Sequence, residues 1–481
     1  MFKFKTVPRR VASAGFLWLC GTGFVLAQEA AGTLTNLSDL SSFREPGKSW
    51  KIAGNVTADF GKSGSLRTSD GTGVLVNLPD KKNPGADLFT NLQHGDAEIE
   101  LDYMMAKGSN SGIYLQGRYE VQLHDSWGVK TPSSGNNGGI YERWDDTRPE
   151  GRKGYEGYAP RQNVSRAPGL WQHIKISFQA PRFDASGKKI ENAVIRRIEL
   201  NGVVIHENVE LLGPTRGAVS AEEAATGPLR LQGDHGQVAF KNLKISTTLP
   251  APVAERPSRN NFADPILVDA SVNTILRSFM DLDGGIRVVH AVSAGSADQV
   301  HYTYDMDKGN VVQLWRGGFL DATPMWDGRG NGTSRPLGSV IRFGKPVFSV
   351  AKLASPDAAW PQDTVGSGYR PKGYMVDEAD RPSFRYLVYG TTVNDASRVA
   401  AEREGITREI SIQNPTADMY VRIAEADAFQ QIADGLYVAG DRSYYVRLDE
   451  TGGAKAIVRD QNGKKELLLP ARAKVIYSIL F

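Results

Sequence analysis

The sequence has a single cysteine in 481 residues, Cys20. It lies so near the N-terminus that the rest of the chain has no disulfide, thiolate metal site or cysteine nucleophile. Charge of one sign is also lacking. Lys and Arg number 57 against 54 Asp and Glu, a formal net charge of +3. Even this small excess is local: Lys3, Lys5, Arg9 and Arg10 face no acid in residues 1–27, and the remainder holds 53 basic against 54 acidic residues. The basic pI of about 8.7 therefore points to no nucleic-acid partner, and basic–aromatic interleaving of that kind is missing. No later apolar run approaches the ~20 residues of a membrane span. HExxH, CxxCH, a phosphate-cradling Gly loop and a Gly-x-Ser-x-Gly elbow are all absent. His94, His206, His290 and His301 lack metal-ligand spacing, and without CxxCH no haem is expected.

The first 27 residues read as a secretory signal. A basic start, Lys3 to Arg10, precedes the apolar stretch Val11–Leu26, and Val25-Leu26-Ala27 before Gln28 is a small-residue cleavage pattern. The stretch is short and broken by Gly and Ser, unlike a membrane anchor. Trp18 and Leu19 fit a lipoprotein site at Cys20 poorly. Cleavage between Ala27 and Gln28 and a secreted or periplasmic location are expected, and a thiol-free exported chain suits a bacterial periplasm or exterior.

Glycine (51) and proline (24) are plentiful but not periodic, so turns are many and collagen is excluded. Ala97, Ile99, Leu101, Tyr103 and Met105 alternate with polar residues, the mark of a half-buried strand. Trp171–Phe178 alternates likewise. Asn201-Gly202 between β-rich runs is a hairpin signal. Val238–Ile245 gives a further strand. A Pro-rich stretch, 247–262, reads as a linker between an N-terminal half, 28–246, and a C-terminal half, 263–481. The second half also reads as strands, among them Val300–Tyr304, Val311–Trp315 and Lys474–Leu480, with one short helix at Ser397–Glu404. The expected fold is all-β: a jelly-roll sandwich followed by a second β-sandwich.

Side chains alternate across a strand, so Tyr119, Val121 and Leu123 point to a core. Arg118, Glu120, Gln122 and His124 point the other way, joined by Tyr114 and Gln116 if the preceding strand pairs in register. Guanidinium, carboxylate, amide and imidazole on one face can hydrogen-bond sugar hydroxyls, and Glu or His can move a proton. The outer solvated face of a sheet would account for the same alternation. In Gly227–Gly236, Arg230 and Gln232 point outward and the segment runs into Asp234-His235.

Taken together, these segments resemble the 3-keto-disaccharide hydrolase domain family. The resemblance rests on Asn110-Ser111-Gly112-Ile113, Arg118-Tyr119-Glu120-Val121-Gln122-Leu123-His124-Asp125, Gly139-Ile140-Tyr141, Gly169-Leu170-Trp171, Leu200-Asn201-Gly202 and Gly227-Pro228-Leu229-Arg230-Leu231-Gln232. Asp234-His235-Gly236 and Val238-Ala239-Phe240 complete the ordered set, which spans about Asn36–Ser246. It implies a concanavalin-like jelly roll with a concave sugar-binding sheet. Two departures touch substrate choice: Gly233 interrupts a usually contiguous Gln-Asp-His-Gly, and the loop Glu142–Arg166 is long and charged. The C-terminal half, over Thr274–Leu337, resembles a module appended to secreted bacterial sugar-metabolism and haem-binding chains. Trp315, Trp326 and Tyr302 could form a sugar platform there, although core packing explains each of them better.

The resemblance implies action on a 3-keto-glycoside. Glu120 or His124 would remove the C2 proton, which the ketone acidifies, and the C1 aglycone would leave before water adds back. His235 joins them as a catalytic candidate. Asn110, Tyr114, Gln116, Arg118, Gln122, Asp125, Tyr141, Arg230 and Gln232 are the substrate-binding candidates. No cofactor is required, although oxygen ligands for a divalent cation exist. One rival is a conventional glycosidase using Glu98, Glu100 or Asp102, which share a strand face. Another is a carbohydrate-binding protein without turnover.

Overall fold

Strands dominate because the alternating segments have one face to bury. The structure, a computed structural model, describes residues 33–34, 37–247, 249, 264–326 and 328–481. The signal segment with Cys20 and nearly all of the linker stretch lie outside the described residues. Among the described residues there is no α-helix, only three short 3-10 turns, and no helix long and apolar enough to cross a membrane.

In the N-terminal half an eight-stranded antiparallel sheet faces a five-stranded one. The first runs Val203–Leu211, Ala193–Leu200, Gln172–Gln179, Ala97–Met105, Val238–Ser246, Arg67–Asn77 and Trp50–Thr57, with Thr33–Leu34 added on Val238–Ser246. The second runs Phe43–Arg44, Leu88–His94, Gly227–Leu231, Asn110–Leu115 and Tyr119–His124. Ile99, Leu101, Ile174, Ile176 and Phe178 from the large sheet meet Ile113, Val121, Leu123, Leu229 and Leu231 from the small one in a single core. Asn201 and Gly202 turn the hairpin with φ of 51° and 81°, the paired positive values that a tight two-residue loop needs.

The C-terminal half holds six-, four- and eight-stranded sheets around a large core that includes Tyr304, Phe384, Ile410, Val475 and Tyr477. The helix expected at Ser397–Glu404 does not form. A strand, Thr391–Val399, continues through its first half, and only a 3-10 turn follows at Ala401–Arg403. The reason is tertiary. Ser397–Val399 pair with Ile406–Arg408, and Val393, Asp395 and Ser397 are buried at a spacing of two, so sheet pairing overrides local helix propensity. Trp315 and Tyr302 are buried, with Trp315 stacked on Phe319, whereas Trp326 is 58% exposed.

The halves keep separate cores but touch closely, and Gly32–Phe481 forms one compact unit. Ala167 and Leu170 pack with Val438, Tyr445 and Leu480. Buried Arg442 donates from Nε to the Gly169 carbonyl at 2.6 Å, and the Tyr445 hydroxyl donates to the Pro168 carbonyl at 2.9 Å. Arg442→Ala orphans a buried carbonyl and is expected to cost about 1–3 kcal/mol, read as a lower urea midpoint.

Candidate active site

The outward face of the five-stranded sheet carries one row of side chains across its strands. Register pairs Arg44 with Phe89, Phe89 with Arg230, Arg230 with Tyr114, and Tyr114 with Glu120. Two further rows pair Gly112 with Gln122 and Asn110 with His124. Thus Glu120, Gln122 and His124 share a face with Asn110, Tyr114 and Arg230, while Tyr119, Val121 and Leu123 enter the core.

Glu120 closes the row on the last strand of the sheet and is only 2% exposed. Its carboxyl lies over Gly112: a Cβ there would stand 2.3 Å from Oε1. The Tyr114 side chain lies beside it, its hydroxyl donating to the Arg216 carbonyl at 3.3 Å. The Arg230 guanidinium stacks 3.6 Å above the Tyr114 ring centroid and pairs with Asp87 at 3.2 Å. Burial pushes the Glu120 carboxyl up to about 8; Tyr114 and Arg230 pull it down, while Asp87 and Asp234 push it further up. Burial raises Tyr114 in turn, helped by the neighbouring Glu120 charge. A carboxyl poised near neutrality can take or give a proton under ordinary conditions.

The other candidates divide. Gln122 donates its amide to Asn110 Oδ1 at 2.9 Å. His124 is half-buried, with Nδ1 unpartnered. The Gln232 Oε1 is likewise buried without a partner. Asp234 and His235 form an exposed pair at the rim, 2.5 Å apart. Tyr141 is held beside Glu120 by its backbone, its N–H donating to the Glu120 carbonyl at 3.0 Å.

Three residues take other places. Gln116 follows the end of its strand, with φ of 53°, so alternation no longer sets its direction. Its amide donates to the carbonyls of His94 and Ala225. Arg118 sits in the same turn and donates to the carbonyls of Glu222 and Gln116. It lines a groove of about 650 Å³ with Asp87, Phe89 and Val219. Asp125 accepts from the backbone N–H of Gly108 and Trp127, so it shapes a loop.

Two contributors carried no signal in the sequence. Asp87 is remote from Arg230 along the chain and meets it only through the fold. The segment from Thr215 to Val219 lies across the row: Thr215 Oγ1 accepts from the Glu120 N–H at 3.0 Å, and the Gly217 carbonyl accepts from Arg230 at 2.7 Å. The long charged loop meets it where Arg216 stacks on Trp144 at 3.7 Å.

The acids of the rival glycosidase reading lie on the other sheet. Glu98 pairs with Lys175 at 2.9 Å, and Asp102 with His173 at 2.7 Å, while Glu100 stands 3.6 Å from His173. All three are occupied in cross-strand pairs. Among the described residues no three or more His, Cys, Asp or Glu side chains gather as around a metal ion.

Comparison with protein families matches residues 31–246 to the model described as 3-keto-alpha-glucoside-1,2-lyase-like domain. The N-terminal half is a 3-keto-alpha-glucoside-1,2-lyase-like domain. It is of glycoside hydrolase/lyase type, and a carbohydrate substrate fits it. Among solved structures, the chain is similar to a candidate glycosyl hydrolase from Parabacteroides distasonis ATCC 8503, at 24% identity over 45% of this chain and 84% of that one, with a TM-score of 0.32. A second candidate glycosyl hydrolase from that organism is 20% identical over 41% of this chain and 99% of the other, with a TM-score of 0.26. The botulinum neurotoxin serotype D binding domain aligns with 94% of this chain and 97% of its own, at 7% identity and a TM-score of 0.26. No curated protein matches the chain.

Gly112→Ala gives a local test of the lyase-like domain. The added methyl displaces the Glu120 carboxyl rather than backbone, so turnover is expected to fall about 10-fold or more for a stability loss of about 1–3 kcal/mol. Steady-state kinetics beside thermal melts check both.

Proposed function

We propose that the chain cleaves 3-keto-glycosides, with Glu120 moving the C2 proton. The observation that carries this reading is the buried Glu120 carboxyl, raised to about 8 and set beside Tyr114 and Arg230, within a domain that matches a 3-keto-glucoside lyase-like family.

The ketone at C3 acidifies the proton on C2. Glu120 takes that proton as a carboxylate, and the electron pair forms an enediolate whose oxygen needs a donor. Tyr114 and Arg230, neighbours of Glu120, are the candidate donors, and fixed donors of this kind are the large term in oxyanion stabilisation. The enediolate then expels the C1 oxygen, which takes a proton from an acid such as His124. Water adds its oxygen to C1 and a proton to C2, and the sum is hydrolysis. Asn110, Gln122 and Gln232 offer amides to hydroxyls, and His235 with Asp234 closes the rim. Secretion with cleavage after Ala27 accompanies this reading; the mature protein recovered from the producing cell would begin at Gln28.

Purified protein is expected to release the aglycone from a 3-keto-glucoside and to leave the matching unoxidised glucoside intact. Equal turnover of both would favour conventional glycoside hydrolysis, and binding without turnover of either would favour a carbohydrate-binding protein.

A further inference from the structure

A cavity of about 330 Å³ lies where the two halves meet, apart from the proposed chemistry. Arg166 lines it from the N-terminal half, and Arg342, Glu425, Asp427, Tyr444 and Lys464 line it from the C-terminal half. The acids there are already matched. Glu425 accepts from Arg422 at 2.5 Å, and Asp427 pairs with Lys464. Arg342 reaches Asp283 through Nη1 at 2.5 Å.

What remains is a surplus of donors. Arg166 Nε, Arg342 Nε and the Tyr444 hydroxyl are buried without a hydrogen-bond partner, and no carboxylate oxygen of the lining is orphaned in the same way. Tyr444 itself is 3% exposed. The one side-chain hydrogen bond found for Arg166 runs from Nη1 to the Trp171 carbonyl at 3.0 Å, and among the described residues no carboxylate comes within ion-pair distance of it. Burial holds its pKa below the usual arginine range. The Asp102 charge offsets this only in part; a buried cation without a direct ion-pair partner is costly, and so is each unmatched buried donor. An acceptor-rich, negatively charged ligand removes both costs.

We propose that this cavity binds a small oxyanion, held by Arg166, Arg342 and the Tyr444 hydroxyl, which ties the two halves together. Sulfate, phosphate and the carboxylate of a sugar acid share the required chemistry. The site is independent of the Glu120 reading.

Thermal melts of the full chain test it, at matched ionic strength, with sulfate, phosphate, glucuronate or, as the neutral control, glucose. At about tenfold excess over Kd the wild-type midpoint is expected to rise by about 1–2 °C. Tyr444→Phe and Arg166→Met should lose more than half of that rise. The nearly isosteric Tyr444→Phe keeps the test readable if Arg166→Met does not fold. Sulfate and phosphate also stabilise proteins non-specifically, so the wild-type rise is read against that of the variant. A variant-sensitive rise with glucuronate alone identifies a sugar acid, and one with sulfate or phosphate alone identifies an inorganic anion. Equal rises in wild type and Tyr444→Phe, or no rise with any of the three anions, would overturn the proposal.

Discussion

Glu120→Gln is expected to abolish turnover of a 3-keto-glucoside while making the protein more stable at alkaline pH. The loss of activity follows from removing the proton acceptor, and general-base contributions are typically about 10²–10⁴-fold. The gain in stability follows from linkage. The Glu120 carboxyl is raised from 4.5 to about 8 in the folded chain. Below about pH 4.5 it is protonated in both the folded and unfolded states and contributes nothing. Between 4.5 and 8 the unfolded chain has released its proton and the folded chain has not, so stability falls by about 1.4 kcal/mol per pH unit. Above pH 8 the loss levels off at a total on the order of 4–5 kcal/mol. Gln does not ionise and escapes this loss. The variant's midpoint should therefore climb relative to wild type from pH 5 to 8 and then run parallel. Wild-type kcat/KM should rise through the same upper range, because the carboxylate is the active form. A pH-independent stability difference would show that Glu120 is not held protonated.

Asp395→Ala should be among the most destabilising single changes in the C-terminal half, about 3–5 kcal/mol. Asp395 and Arg408 are almost wholly buried. Arg408 grips both carboxylate oxygens, at 2.9 and 2.5 Å, and donates also to Asn310, Tyr477 and Ser349. The Tyr304 hydroxyl adds a bond to Asp395 at 3.0 Å. Removing the carboxylate leaves a cation in the core with no counter-charge. Asp395→Leu with Arg408→Met removes both charges and should recover most of the loss, because the pair's own desolvation cost also disappears. Chemical denaturation of the wild type, the single variant and the double variant checks this. A double variant no better than the single one would contradict it.

Much of the sandwich was legible in alternation. Ala97–Tyr103 alternates buried and half-buried residues, and Tyr119, Val121 and Leu123 enter the core while Glu120 and Gln122, buried as well, face the site, so period two located both strands and separated core from site side. The same rule failed just past the strand ends. Gln116 and Arg118 belong to a turn, where backbone geometry rather than alternation aims the side chain. The Gly112–Glu120 contact needed the hairpin register, and the Asp87–Arg230 pair needed the whole sheet. Local composition suggested a helix at Ser397–Glu404, but the neighbouring strands supplied a ladder that it could not refuse. The charges of Glu98, Glu100 and Asp102 were visible in sequence, but their partners Lys175 and His173 came only with the pairing of two distant strands.

The most direct test of the proposed mechanism is hydrogen exchange at C2. Turnover of a 3-keto-glucoside in D₂O, followed by NMR, should place solvent deuterium at C2 of the released sugar faster than free product exchanges without enzyme. Glu120→Gln should not accelerate it. Aglycone release with C2 keeping its original proton would contradict proton abstraction and return the chain to ordinary glycoside hydrolysis.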